Sequence, residues 1–295
     1  MTARLRHVPA MLWVVPAVAL LGMFVYYPVL DNFRLSLFQW NAYSTTQKWV
    51  GLGNYTALAA DPVFWRALTN NVFYAVTSVV VQVGFGLVLA GIVEEFVIAP
   101  LRGFFRIVYF VPVTISITVI GLLFLFLYNP QIGLIDQFLV GIGHPELSHA
   151  WLGEEPTAIW GIIAMSQWQS TGEVMVLFIV AMQRIPREYY DAAYVDGASK
   201  AQAWRHITVP LVRDMTAILM IITISGAFLV FNEIMATTSG GPNNASQVLA
   251  TWLYQSAFFN DQMGYAAAIA SVIFVITFVF SMGQLLLVSR QQVEY

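Results

Sequence analysis

Six mostly apolar stretches, at about residues 10–31, 71–93, 105–128, 157–182, 211–235 and 264–288, constrain this chain more than any other feature. A helix needs ~20 such residues, rising 1.5 Å each, to cross the ~30 Å hydrocarbon of a bilayer. The pattern therefore predicts an all-α integral membrane protein of six transmembrane helices. The segments between them (32–70, 94–104, 129–156, 183–210 and 236–263) are too short to hold a soluble domain. The expectation is one membrane domain over 1–295. Composition supports this: only 10% of residues are charged and 59% are hydrophobic, against about 25% charged in soluble domains. The absence of cysteine excludes disulfides and thiolate metal sites. No basic patch with interleaved aromatics points to nucleic acid.

Arg4, Arg6 and His7 precede an apolar run from Val8 to Leu30, which superficially resembles a signal peptide. The run outlasts a usual signal core, and no small-x-small site precedes Tyr26-Tyr27-Pro28, so a first spanning helix is expected. With the N-terminus inside, the inner segments hold Arg4, Arg6, Arg102, Arg106, Arg184, Arg187, Lys200, Arg205, Arg213 and Arg290. The outer ones hold Arg34, Lys48 and Arg66. This asymmetry follows the positive-inside rule and predicts two cytoplasmic termini. Trp40, Trp65, Tyr109, Tyr128 and Trp160 fall near helix ends, where amphipathic rings anchor in the headgroup zone.

The cytoplasmic segment 186–210 is not a generic loop. Pro186 suits a helix start, followed by Arg187 and Glu188. Ala192, Ala193, Val195 and Ala198 give a short helix with a small-residue face, and Gly197 permits a change of direction or a close approach. A second amphipathic stretch runs through Trp204 and Ile207 to Pro210. A helix lying on lipid would carry Leu or Phe where this one has alanines among Glu188, Asp191 and Asp196. Small residues with mixed charge suit a groove on another protein better.

Asp191-Ala192-Ala193, then Gly197, Ile207 and Val209-Pro210, resembles the EAA loop of ATP-binding-cassette import permeases. That pattern is Glu-Ala-Ala, x3, Gly, x9, Ile, x, Leu-Pro; the spacing is kept, with Asp for Glu and Val for Leu. Further likeness to sugar permeases of the maltose/lactose/glycerol-phosphate type lies in Tyr26-Tyr27-Pro28, Ser36-Leu37-Phe38, Gly51-Leu52-Gly53-Asn54-Tyr55 and Asn70-Asn71. Leu127-Tyr128-Asn129-Pro130, Gly133-Leu134-Ile135-Asp136 and Gly240-Gly241-Pro242 extend it. The resemblance implies a type I importer permease fold, with 186–210 as the coupling helix on an ATPase subunit. It puts Tyr190, Asp191, Ala192, Ala193, Asp196, Gly197, Ile207 and Pro210 at that contact. It also implies four partners besides the bilayer: a second homologous permease, two ATP-binding-cassette ATPases and an extracytoplasmic sugar-binding protein. ATP and magnesium would be bound on those partners, and this chain is expected to bind no cofactor and catalyse no reaction.

An acid deep in an apolar window marks a pathway or a partner contact. Glu173 is expected near mid-depth, on one face with Ser166 and Ser170 at i, i+4, i+7 spacing. Thr223, Gly226 and Ala227 are at i, i+3, i+4 on the fifth window. The resemblance maps sugar contacts onto these six residues and onto Val113 and Ile117. Small and hydroxyl residues also serve helix packing in membranes, so that reading stays open beside the first. Gln82, Gln167 and Gln169 are candidates for interhelical hydrogen bonds, and Glu233 for an outer gate or a binding-protein contact.

Other classes fit less well. An ion-coupled transporter calls for paired intramembrane carboxylates, broken helices or an internal repeat. Only Glu173 lies deep in a window, and no repeat is visible. An intramembrane enzyme needs a catalytic constellation, yet His7, His144, His149 and His206 all lie outside the windows. The chain has no Gly-x4-Gly-Lys-Ser/Thr phosphate loop. The expectation is therefore a transport subunit for a sugar or oligosaccharide, in a bacterial cytoplasmic membrane. A glycerol-phosphate or polyol importer is the alternative.

Overall fold

The structure, a computed structural model, describes residues 11–43 and 46–289. Arg4, Arg6, His7 and Arg290 lie outside the described residues. The chain forms two compact units, one holding the chain up to Asp61 with Leu253–Val272, the other Pro62–Trp252 and the chain from Ile273.

In the first unit, α1 (Trp13–Leu35) is 23 residues long, and none of its apolar window is buried within the protein. Its apolar surface must face lipid or another chain. A hairpin follows, β1 (Phe38–Gln39) antiparallel to β2 (Lys48–Trp49), with Phe38 opposite Trp49. The next helix, α2 (Gly53–Ala60), explains a sequence motif. The Asn54 side chain donates to the carbonyls of Ser36 (2.7 Å) and Phe38 (3.0 Å), and the Tyr55 and Ser36 hydroxyls pair at 2.7 Å. Gly51-Leu52-Gly53-Asn54-Tyr55 thus staples Ser36-Leu37-Phe38. Asn32 ties α1 to the last helix through the Ala267 carbonyl (3.2 Å) and the Ser271 hydroxyl (3.0 Å).

The second unit is built on α3 (Pro62–Phe96), a helix of 35 residues. After it come α4 (Ala99–Thr114), α5 (Ile117–Leu127) and the short α6 (Leu134–Gly141). The central helix is α7 (Glu155–Met182), in which 16 of 28 residues are buried. Two helices of the cytoplasmic segment follow, α8 (Arg187–Val195) and α9 (Lys200–Leu211), then α10 (Arg213–Phe228) and α11 (Asn232–Thr237). The chain finishes with α12 (Leu249–Phe258) and α13 (Met263–Ser289), both shared with the first unit. One core cluster joins Val83, Leu89 and Ala90 of α3, Val174, Met175 and Phe178 of α7, and Leu219 of α10.

Three windows depart from the simplest reading. The 105–128 stretch is not one straight helix: α4 and α5 meet at 97° across Ile115 and Ser116. Pro112 withholds a backbone donor there, and the Gln169 side chain donates to the orphaned Ile115 carbonyl at 3.0 Å. The 211–235 stretch breaks after Phe228 and resumes as α11. The third, α7, is less apolar than α1, α3 or α13, which alone are straight spans by apolarity among the described residues. Neighbouring helices surround it, so Gln167 and Gln169 are buried in protein rather than exposed to lipid. Gly172 permits one of those close approaches: a Cβ there would strike the Tyr109 backbone carbonyl.

Candidate functional site

The segment 186–210 presents a helix with almost nothing behind it. No residue of α8 is buried, and Val195 is 87% exposed. Asp191, Ala192, Asp196 and Gly197 are exposed, while Tyr190, Ala193 and Ile207 are half-buried and Pro210 is exposed. An apolar tip with flanking carboxylates and open backbone is a surface shaped for a partner. A groove of about 340 Å³ runs beside it, lined by Ala193, Asp196, Gly197, Ala203, His206 and Ile207.

The shape of this element follows from its glycine and its serine. Gly197 has φ +83°, in the left-handed region. Its N–H donates to the Tyr194 carbonyl (3.1 Å), and the Ala198 N–H reaches back to Ala193 (2.9 Å). Those two bonds form a Schellman motif with glycine at C′, which ends α8 and reverses the chain. Two residues later Ser199 and Gln202 cap each other's backbone N–H groups, a capping box that starts α9. Ser199-x-x-Gln202 is a signal that the reading of the sequence missed.

Three contacts that sequence reasoning missed lock α9 to the end of α3. The Trp204 ring rests directly on Gly91, where a Cβ would collide with it. Lys200 Nζ donates to the Glu95 carbonyl at 2.8 Å and is 6.0 Å from the centre of the Phe96 ring. A cation at the C-terminal end of a helix also complements its dipole. Beside them Glu94 accepts from Arg106 and faces Arg102 at 4.0 Å. Tyr190 closes the element on itself, its hydroxyl 2.8 Å from that of Thr208. Burial raises the Tyr190 phenol above its ordinary pKa, so it keeps its proton.

The candidate cargo residues are distributed unevenly. Ser166 is buried, Ser170 half-buried and Glu173 exposed, so the face they share turns from protein interior to chain surface within two turns. Thr223 and Ala227 are buried, whereas Gly226 is exposed and a Cβ there would touch nothing within 4 Å. The structure therefore separates Gly226 from its two neighbours. Val113 and Ile117 are both half-buried, on either side of the 97° bend.

Along α3 runs a buried polar row: Asn71, Tyr74, Ser78 and Gln82. The Asn71 side chain donates to the Ala227 carbonyl (2.7 Å) and accepts from the Leu249 N–H (2.8 Å). One amide thus caps the end of α10 and the start of α12. Its neighbour Asn70 donates to the Ala245 and Gln247 carbonyls, both at 2.8 Å. Together they hold the segment that contains Gly240-Gly241-Pro242. Gln82 donates to Gln167 at 2.9 Å. Among the described residues no cluster of three or more His, Cys, Asp or Glu forms a metal site.

Residues 82–293 match the family of binding-protein-dependent transport system inner membrane components. The chain belongs to that family. This permease is 51% identical over 274 residues to the probable ABC transporter permease protein YurN of Bacillus subtilis, covering 93% of this chain and 94% of that one. It is 31% identical over 286 residues to the lactose transport system permease protein LacF of Rhizobium radiobacter, covering 95% and 94%. Its fold matches a chain of the bacterial alginate ABC transporter, solved in complex with alginate pentasaccharide-bound periplasmic protein. That match has TM-score 0.81 at 20% identity and covers 93% and 91%. The helical importer permease fold expected from the sequence is the one observed; among the described residues three helices, or five if each bent pair is one span, are long and apolar enough to cross a membrane, against the six expected.

Proposed function

We propose that this permease forms one side of the translocation pathway of an importer for a saccharide, and that α8 is its contact with an ATPase subunit. The observation that carries the reading is the convergence of the exposed, Schellman-capped α8 with relatives whose names specify saccharide transport. The working complex contains a second permease, two ATPases that bind ATP and magnesium, and an extracytoplasmic sugar-binding protein. The chain itself hydrolyses nothing. It crosses the bacterial cytoplasmic membrane several times, with α8 and both termini in the cytoplasm.

In mechanism, ATP-driven closure of the ATPases moves α8. Trp204 and Lys200 pass that displacement to the end of α3, and Pro210 and the 64° bend between α9 and α10 pass it to α10. Rigid transfer needs packed, bistable contacts, and a tryptophan seated on a glycine provides one. Cargo passes along Val113, Ile117, Ser170, Glu173 and Gly226, which reach the chain surface, and contacts the now buried Ser166, Thr223 and Ala227 when the helices part, so that hydroxyls and a carboxylate meet apolar walls.

The test is ATP hydrolysis by the reconstituted complex, with binding protein preloaded with lactose, maltose, chitobiose or glycerol 3-phosphate. Stimulation by a saccharide and not by the phosphate is the expected result. Stimulation by glycerol 3-phosphate alone would replace the saccharide with an anionic polyol.

A further inference from the structure

The polar row on α3 contains one group without a bond. Asn71 is paired on both sides, and Gln82 is paired with Gln167 and lies 3.4 Å from Ser78. Tyr74, between them on the same face, is 3% exposed, and its hydroxyl has no hydrogen-bond partner among the described residues. The Ser166 hydroxyl stands within reach of it but outside a bonding geometry, and the Glu233 carboxylate is close enough to act on it through its charge. A buried hydroxyl left unpaired is unfavourable, and phenylalanine would fill the same space without that penalty. Such a group persists where another state of the protein uses it.

We infer that Tyr74, with Ser166 and Glu233, forms a cargo-binding site for a sugar hydroxyl at the junction of α3, α7 and α11. The inference rests on the saccharide reading above. A phenol that both donates and accepts, a second hydroxyl and a carboxylate acceptor together satisfy one sugar hydroxyl in both directions. The neighbouring buried face supplies the apolar wall. In the described state the Tyr74 hydroxyl lacks a partner; when the helices part, cargo takes that partner's place. The cargo-lining residues proposed above lie on α4, α5, α7 and α10, so this adds α3 and α11 to the pathway.

The experiment compares wild type with Tyr74→Phe in proteoliposomes holding the whole transporter, for whichever of lactose, maltose and chitobiose the wild type accumulates. Uptake is also measured with the monodeoxy analogues of that sugar, and the thermal midpoint of each complex is recorded. Losing one hydrogen bond to a neutral hydroxyl predicts a fall in uptake of about 2- to 10-fold. For one deoxy analogue the wild type should lose that much and Tyr74→Phe should lose nothing further. The midpoint should stay level or rise, since no bond inside the protein is removed. A lower midpoint, or unchanged uptake, would show a purely structural tyrosine and overturn the inference. If the wild type accumulates none of the three sugars, the saccharide reading falls and takes this inference with it.

Discussion

Gly197→Ala and Gly197→Asn separate two reasons for a glycine at the end of α8. The residue has φ +83°, and a Cβ built there would meet nothing within 4 Å. Within this chain the demand is therefore conformational rather than steric. Placing an L-residue in the left-handed region costs about 1–2 kcal/mol, a factor of roughly 5–30 in an equilibrium constant. Asparagine tolerates that region far better than alanine. If α8 docks only with its Schellman turn formed, Gly197→Ala should raise the ATPase-subunit concentration needed for half-maximal stimulated hydrolysis by about 5- to 30-fold. Gly197→Asn should stay near wild type. Alanine equal to wild type would refute the turn argument. An asparagine variant worse than alanine would refute it differently, by showing that the partner closes on Gly197 and that volume decides.

Three further outcomes follow from single contacts. Gly91→Ala drives a methyl group into the Trp204 ring and should lower sugar moved per ATP hydrolysed, with Trp204→Leu in the same chain recovering part of the loss; a double-mutant cycle measures that coupling. Asn71→Ala leaves the Ala227 carbonyl and the Leu249 N–H unpaired, at about 1–3 kcal/mol for each buried group, so the thermal midpoint in detergent should fall. Gly172→Ala places a methyl group on the Tyr109 carbonyl, a backbone atom that cannot rotate away, and should reduce the yield of folded complex in size-exclusion chromatography.

Much of the fold was legible because lipid imposes a crude requirement, ~20 apolar residues per crossing, that composition alone reveals. The motif at 186–210 was legible for a similar reason: Gly197 and Pro210 fix backbone geometry locally, and the turn that ends α8 closes on neighbours five residues away at most. What stayed hidden depends on distant partners. The bend at Ile115 is bridged by Gln169, 54 positions away in sequence, and an apolar run reads the same straight or broken. Gly91 and Trp204 each look ordinary until they touch. Depth could be counted from a helix end, but helix rotation could not. Hence Ser166, Ser170 and Glu173 shared a face on paper, while the structure runs that face from interior to surface. Asn70-Asn71 was noticed only as a resemblance, and its role in clamping 245–249 needed coordinates.

The central claim, a saccharide-importing permease driven through α8, is tested most directly by ATP-dependent accumulation in proteoliposomes. The vesicles hold the complete transporter with ATP inside and sugar-loaded binding protein outside, comparing wild type with Gly197→Asp. The account predicts that labelled sugar rises above its external concentration only with ATP and binding protein together, and that Gly197→Asp abolishes it. Accumulation that follows a proton or sodium gradient without ATP, or a fully active Gly197→Asp complex, would contradict it.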